Sequence, residues 1–377
     1  MIFLGKTVNN KYVMFKKYRI VKYVLASLAI VSTISILIGV HIASLLPAED
    51  ITLSNSQASE IAYLNKNVPF NRGKILAVVT STDVMGANGK ATGYELTELA
   101  RAYYVFTANG FDVDIASPLG GIPPVVLDDD DMGIFDYAFL NDVKAQSKIH
   151  KTLPLKDVVG EDYKAIYFVG GKGAMYDFPD NTYVQRLVRD FYSANKVIGA
   201  VCHGPAALVN VTLKNGKSFL QDRQVSGFTN KEELLLIPKA ASIFPFLLQD
   251  KLIEQGAVFN EGLMYLEKVS HDENLITGQN PWSVWLLAET MVRQLGYVPK
   301  QRTLTGEENA ITVLHTYETI GATASKVLIK QIILDKKQTV SRALLIDHGA
   351  IAILKADLKK FYDLLGLASY AKDIENK

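Results

Sequence analysis

Gly199-Ala200-Val201-Cys202-His203-Gly204-Pro205 carries an apolar run into a cysteine flanked by small residues. The residues leading into it, Val197 to Val201, are apolar, as expected of a strand buried on both faces. They run directly into Cys202, the only cysteine of the chain. The small residues Ala200 and Gly204, two positions either side, meet the steric demand of a strand–nucleophile–helix elbow, whose turn is too tight for larger side chains. Ala206 to Val211 are expected to form the helix that follows. The elbow would expose the thiol at the carboxyl ends of the strands, where open α/β sheets take their ligands. A helix start there would favour the thiolate. A buried structural cysteine is the plainer alternative, against which the elbow and the adjacent His203 weigh.

Outward from the elbow the same alternation recurs. Ile75–Thr80, Val113–Ala116, Ala165–Val169 and Leu275–Thr277 read as strands. Helical spacing covers Leu96 to Phe106, roughly 182–194, and Trp282 to Leu295. Strands alternating with helices predict an α/β fold: a doubly wound parallel sheet with helices on both faces. Residues 119–160 form a long insertion that includes the acidic run Asp128–Asp131.

Two further features belong with the elbow. Gly170-Gly171 ends a strand, and amides exposed in such a loop can face an oxyanion beside Cys202. A plain turn is the alternative. Glu98 lies on the first helix between Leu96 and Leu99, either at the helix edge or aimed at the site.

The chain has 377 residues, 49% of them hydrophobic, enough for a substantial core. Charged residues, at 21%, are too few and too balanced for a disordered polyelectrolyte. The net charge of +1 gives no global field for nucleic acid. One cysteine excludes an internal disulfide, and no Cys/His cluster has zinc-site spacing.

The charge is unevenly distributed. The first 22 residues carry six basic side chains and no acid, so the rest nets −5 against a total of +1. Tyr23 to Ala48 then run 26 positions without Asp, Glu, Lys or Arg. About 20 helical residues cross a bilayer core, and a basic flank stays inside. The expectation is a basic cytoplasmic segment over 1–22 and a transmembrane helix over 23–48. A polar linker over 49–72 and an extracytoplasmic (periplasmic or cell-surface) catalytic domain over 73–298 would follow. A cleaved signal peptide is the competing reading, but the apolar run is long for one and lacks an Ala-x-Ala end. Residues 299–377 are expected to be a mainly helical extension, with Ala343–Ile346 and Ala350–Leu354 either strand or helix. Its Asp347-His348 pair reads as an ordinary structural or surface histidine.

The ordered segments Gly93-Tyr94-Glu95-Leu96-Thr97-Glu98-Leu99, Phe111-Asp112-Val113-Asp114-Ile115-Ala116-Ser117-Pro118, Phe168-Val169-Gly170-Gly171-Lys172-Gly173, Ala200-Val201-Cys202-His203-Gly204-Pro205, Val225-Ser226-Gly227-Phe228-Thr229 and Leu275-Ile276-Thr277-Gly278-Gln279-Asn280-Pro281 together resemble the ThiJ/PfpI superfamily. That superfamily is related to class I glutamine amidotransferases. The resemblance covers about residues 73–298 and is strongest to the heat-shock, glutathione-independent glyoxalase branch. It implies a flavodoxin-like fold with Cys202 as nucleophile, His203 as the residue after it and Glu98 as the acid touching the thiol. It also implies an acid after Gly-Phe-Thr, for which Glu233 has the right spacing and Glu232 is the less favoured choice. Two departures stand out: Lys172 occupies a position where close relatives are expected to carry histidine, and the segment before Leu275 is short. His271-Asp272-Glu273 resembles the His-x-Glu of glutamine amidotransferases, but it precedes a strand and reads as a polar turn.

The implied activity is attack of Cys202 on a small reactive carbonyl, with conversion of methylglyoxal to lactate by Glu98-mediated proton transfer. No metal or organic cofactor is required. The expected partners are the substrate and the membrane, with no nucleic acid; a homodimer is the assembly considered. A PfpI-type cysteine peptidase or amidohydrolase is the second enzymatic reading. A stress chaperone or thiol oxidation sensor built on an exposed, low-pKa Cys202 is the third.

Overall fold

The structure is a computed structural model, which describes residues 4–47, 50–86, 89–128 and 132–377. Most of the acidic run, Asp129 to Asp131, therefore lies outside the described residues. The chain divides into two compact units, one comprising residues 50–303 and the other the described residues of 1–49 together with 304–377.

In the first unit the described residues form a seven-stranded sheet. Its strands are β1 (Lys74–Val78), β2 (Asp112–Ser117), β3 (Leu153–Pro154), β4 (Ala165–Phe168), β5 (Val197–Val201), β6 (Val269–Asp272) and β7 (Leu275–Gly278). The order across the sheet is β6-β7-β5-β4-β1-β2-β3. Every pairing is parallel except β6 with β7, so the expected all-parallel sheet is corrected to a mixed one with an antiparallel edge. The two-residue turn Glu273–Asn274, with Glu273 at φ 51°, makes a hairpin sufficient for β6 to return beside β7.

β4, β5 and β7 are buried at every position, which requires cover on both faces and explains their unbroken apolar sequence. Leu96–Ala108 and Val284–Gln294 pack against each other as part of this cover. The chain steps from β1 to β2 on one side and returns to β4 on the other. The switch point thus lies between β1 and β4, and the carboxyl ends of β1, β4 and β5 open at one edge.

Residues 50–72 are not the free tether the sequence suggested. They form short helical turns at Leu53–Asn55, Ala58–Glu60 and Ala62–Asn65, with Ile61 buried in the core. Asn141 Nδ2 donates to the Ser54 and Ser56 carbonyls, and the Arg72 amide donates to the Gly110 carbonyl. Within the segment Asn65 Nδ2 donates to the Ala58 and Ile61 carbonyls and Ser56 Oγ to the Leu53 carbonyl, so part of its polar composition serves the backbone.

In the second unit the helix Leu4–Leu45 contains Val21–Leu45, 25 residues long and apolar enough to cross a membrane. The extension is helical: Gly306–Thr319, Ala322–Lys330, Arg342–Leu354 and Leu358–Glu375. The ambiguous stretch 343–354 is therefore helix, and His348 is buried within it.

Candidate active site

Cys202 sits one residue beyond β5 with φ 57°, a left-handed conformation that turns the chain sharply at the strand end. Its amide donates to the Gly278 carbonyl at the end of β7, and its carbonyl accepts from the Phe228 amide, so the turn is held from both sides. Gly204 is required by close approach: a Cβ there would lie 2.3 Å from the Phe168 carbonyl oxygen. After the turn comes only the short 3-10 helix Gly204–Leu208, in place of the expected helix over 206–211. Pro205 sits in its first turn, where a missing N–H costs nothing, and the chain leaves the helix at Val209 in extended conformation. The thiolate therefore lacks a long helix dipole.

Cys202 is also buried, at 5% exposure, not exposed as expected of an elbow. Burial, followed by the charge of Glu98, pushes its thiol well above the ordinary range. An activating base is needed, and His203 is placed for that role. Its Nδ1 lies 3.3 Å from Cys202 Sγ, and its Nε2 lies 2.6 Å from Glu233 Oε2. Burial opposes ionisation of Glu233, but the His203 charge and hydrogen bond outweigh it and hold the carboxyl below its ordinary value. An ionised Glu233 accepts from Nε2–H, which leaves Nδ1 free to take the thiol proton. Phe228 stacks near the imidazole, with centroids 4.7 Å apart, and Phe244 lies at 6.2 Å.

Glu233 and Glu232 are both buried on the helix Asn230–Leu236 but serve different ends. Glu232 Oε2 closes a capping box with Thr229, while Oε1 accepts from the Tyr265 amide and from Gln279 and Asn280 side chains. Glu232 thus builds the scaffold, and Glu233 alone reaches His203.

Glu98 is fully buried in the first turn of Leu96–Ala108. Its backbone carbonyl accepts from the Tyr167 hydroxyl at 2.9 Å, and its Oε2 accepts from the Gly170 amide at 2.8 Å. A Cβ on Gly170 would lie 2.5 Å from Glu98 Oε2 and 2.9 Å from Cys202 Cβ, so the missing side chain is what lets carboxyl and thiol meet. Burial, with Glu95 adding like charge, raises the Glu98 pKa well above its ordinary value and favours the protonated form. Its Oε1 is buried and accepts no hydrogen bond among the described residues.

This arrangement divides the expected oxyanion loop. The Gly170 amide is spent on Glu98, so Gly170 positions the acid. Gly171, at φ 94°, follows as the next amide of the loop and the remaining candidate donor to a developing oxyanion. Lys172 follows, partly exposed, and its charge favours ionisation of Cys202, Glu98 and Glu233.

His271 lies away from this cluster, in the β6–β7 hairpin at the opposite end of the sheet. There it bonds the Glu273 carbonyl and the Gln294 side chain. Among the described residues no group of three or more His, Cys, Asp or Glu side chains is arranged to hold a metal. Sequence reasoning assigned no role to Phe228 or Tyr167; the Gly-Phe-Thr segment was the available signal for the former.

The DJ-1/PfpI family model matches residues 90–294. The glutathione-independent glyoxalase hsp3102 of Schizosaccharomyces pombe is 29% identical over 223 residues, covering 55% of this chain and 91% of that protein. Glyoxalase 3 of Candida albicans is 26% identical, covering 58% and 96%. Among solved structures, the Rapid Encystment Protein 24 KDa of Francisella tularensis superposes with a TM-score of 0.56 at 37% identity. It is matched over 59% of this chain and 99% of its own. The matched residues include Glu98, the Gly170 loop, the Cys202 turn and Glu233, and by this match the chain belongs to the DJ-1/PfpI family.

Proposed function

We propose that this chain is a glutathione-independent glyoxalase of the glyoxalase III type, converting methylglyoxal to lactate with its own side chains. In this reading residues 23–48 anchor it in a membrane, the N-terminus is cytoplasmic and the catalytic unit lies outside. The anchor rests on the helix Val21–Leu45 and on the six basic residues before Tyr23.

The observation that carries the activity is the meeting of Glu98, whose burial favours its protonated form, with Cys202 across Gly170. Hydrolysis of a peptide needs a nucleophile and a base, which Cys202 and His203 would supply. It has no need of a second, protonated carboxyl at the thiol. Moving a proton between adjacent carbons does.

His203 Nδ1 takes the thiol proton, and Glu233 stabilises the imidazolium. The sulfur attacks the aldehyde carbon, and the resulting oxyanion, facing the Gly171 amide, takes the Glu98 proton to give a hemithioacetal. Glu98, now ionised in a buried site, is a strong base. It removes the hydrogen from the former aldehyde carbon, and the electron pair moves to form an enediol after the ketone oxygen takes the proton from His203. Glu98 then delivers its proton to the adjacent carbon, and the hydroxyl on the sulfur-bearing carbon passes its own proton back to Glu98, which is again the neutral acid. This leaves the thioester of lactate. Water, activated by neutral His203, cleaves the thioester and restores the thiol.

The chain Cys202–His203–Glu233 would also serve a hydrolase, which gives the second reading its footing. The test uses purified full-length protein with methylglyoxal and no glutathione, alongside casein. Lactate formation that vanishes in Cys202→Ala is the expected result. Absence of lactate with Cys202-dependent casein cleavage would establish the hydrolase instead.

A further inference from the structure

The unit that contains the apolar helix has one end of unusual composition. The four helices of the extension are tied at one end, where the Ser341 amide donates to the Gly306 carbonyl and Arg342 pairs with Glu375. Gly306–Thr319 and Arg342–Leu354 start there, so they finish together at the opposite end. There Tyr317 donates to Asp363, and Lys360 pairs with Glu318. That opposite end carries large apolar side chains in the open. Ile320 is 75% exposed, Leu354 73%, Leu358 61% and Tyr362 58%. A soluble turn between helices is normally polar, and a cluster of this kind marks a surface that meets something apolar.

The position of Val21–Leu45 identifies the occupant. The helix Leu358–Glu375 runs parallel to it: Lys372 Nζ donates to the Ser44 carbonyl, while Tyr362 and Leu365 share a groove with Leu37, Ile38 and His41. Leu37 lies eight residues before Leu45, about 12 Å along a helix. The apolar end of the extension therefore lies beside the apolar run, at the depth of its outer turns, and not beyond it. Lys359, paired there with Asp363, and Lys355 stand at the same end, with stems long enough to reach the depth of lipid headgroups.

We propose that the end of the extension formed by Ile320, Leu354, Leu358 and Tyr362 inserts into the outer leaflet of the same lipid bilayer that Val21–Leu45 crosses. This rests on the anchor reading above, and gives residues 304–377 a role as a second membrane contact that fixes the anchor's surroundings.

The experiment uses the full-length chain with Cys202→Ser, bearing one environment-sensitive fluorophore on an introduced cysteine. The chain is reconstituted in phosphatidylcholine–phosphatidylglycerol vesicles containing acyl-chain nitroxide lipid. The sites are Leu354→Cys at the apolar end, Val31→Cys within the span and Lys336→Cys away from both. The expected result is loss of more than half the fluorescence at 354 and at 31, with little at 336. If 31 is quenched and 354 behaves like 336, the insertion is wrong and the anchor stands. If neither 31 nor 354 is quenched, the anchor reading fails and takes the proposal with it. Concentration-dependent crosslinking between copies at 354 without nitroxide quenching would assign the apolar end to a second copy and overturn the proposal.

Discussion

His203 Nε2 lies 2.6 Å from Glu233 Oε2, and this contact decides which imidazole nitrogen faces Cys202. Because the carboxylate can only accept, Nε2 carries the proton and Nδ1 is left as the base for the thiol 3.3 Å away. A glutamate supplied by the helix Asn230–Leu236 thus sets the protonation state of a residue on the β5 turn.

Glu233→Gln keeps a hydrogen-bond acceptor but removes the charge that stabilises the imidazolium. Turnover of methylglyoxal should fall roughly 10²-fold or more, the ordinary scale of a general acid–base contribution. Alkylation of Cys202 should also require higher pH. Glu232→Gln provides the contrast. It weakens the cap and the contacts to Tyr265, Gln279 and Asn280, so thermal stability should drop by about 1–3 kcal/mol while folded protein keeps its turnover. Steady-state kinetics and thermal melts separate the two, and identical behaviour of both variants would refute the division of labour.

Glu98 yields a stability test as well as a kinetic one. Its folded pKa is raised above the ordinary value of 4.5, so folding takes up a proton once the unfolded chain has ionised. The folded state binds more protons than the unfolded one in that window, and stability attributable to Glu98 falls as pH rises from 4.5 through the raised value. Glu98→Gln removes this penalty. It should melt at a higher temperature than the parent near pH 7, with the difference shrinking toward pH 4. Turnover should fall roughly 10²–10⁴-fold, with Cys202 still open to alkylation. Melting curves at several pH values check the first part, and wild-type-like turnover would sink the proton-transfer role.

The elbow was legible because Ala200, Gly204 and the apolar run before Cys202 form one contiguous pattern, even though what forbids a side chain at Gly204 is the Phe168 carbonyl of the neighbouring strand. The Gly-Gly loop was legible in the same way, although not the use of the Gly170 amide to position Glu98, which arrives from a helix elsewhere in the chain. The burial of Cys202 was not legible either. It comes from Phe228, Gly278 and Glu98, brought in from three separate segments. The helix expected after Pro205 failed because apolar spacing alone cannot tell a buried α-helix from one 3-10 turn between close-packed elements. Residues 50–72 misled for a related reason: polar side chains that bind backbone look, in sequence, like those that bind water.

Lys172 stands in the loop between Gly171 and Gly173, and its charge favours the ionised forms of Cys202 and Glu98. Lys172→Met should move the alkylation profile of Cys202 to higher pH and slow the reaction severalfold near pH 7. Lys172→Arg should preserve both. The rate of iodoacetamide labelling followed across pH measures this directly. An unshifted profile in Lys172→Met would mean that the ammonium does not act on the thiol in solution.

The groups that make up the site all come from residues 50–303. Glu98, Gly170, Gly171, Cys202, His203 and Glu233, with the anchoring Tyr167, Phe228 and Gly278, fall within that unit. A chain stopped after Thr303 should therefore retain methylglyoxal turnover and Cys202 alkylation close to those of the full chain. Removing residues 304–377 also takes away the helix Leu358–Glu375 that packs beside Leu4–Leu45, so the shortened protein should aggregate more readily unless kept in detergent. Turnover per alkylatable thiol, compared between the two chains in the same detergent, separates loss of activity from loss of protein. A soluble shortened chain whose thiol reacts but which turns over nothing would show that the extension acts on catalysis. One whose thiol no longer reacts would show that it helps form the Cys202 turn.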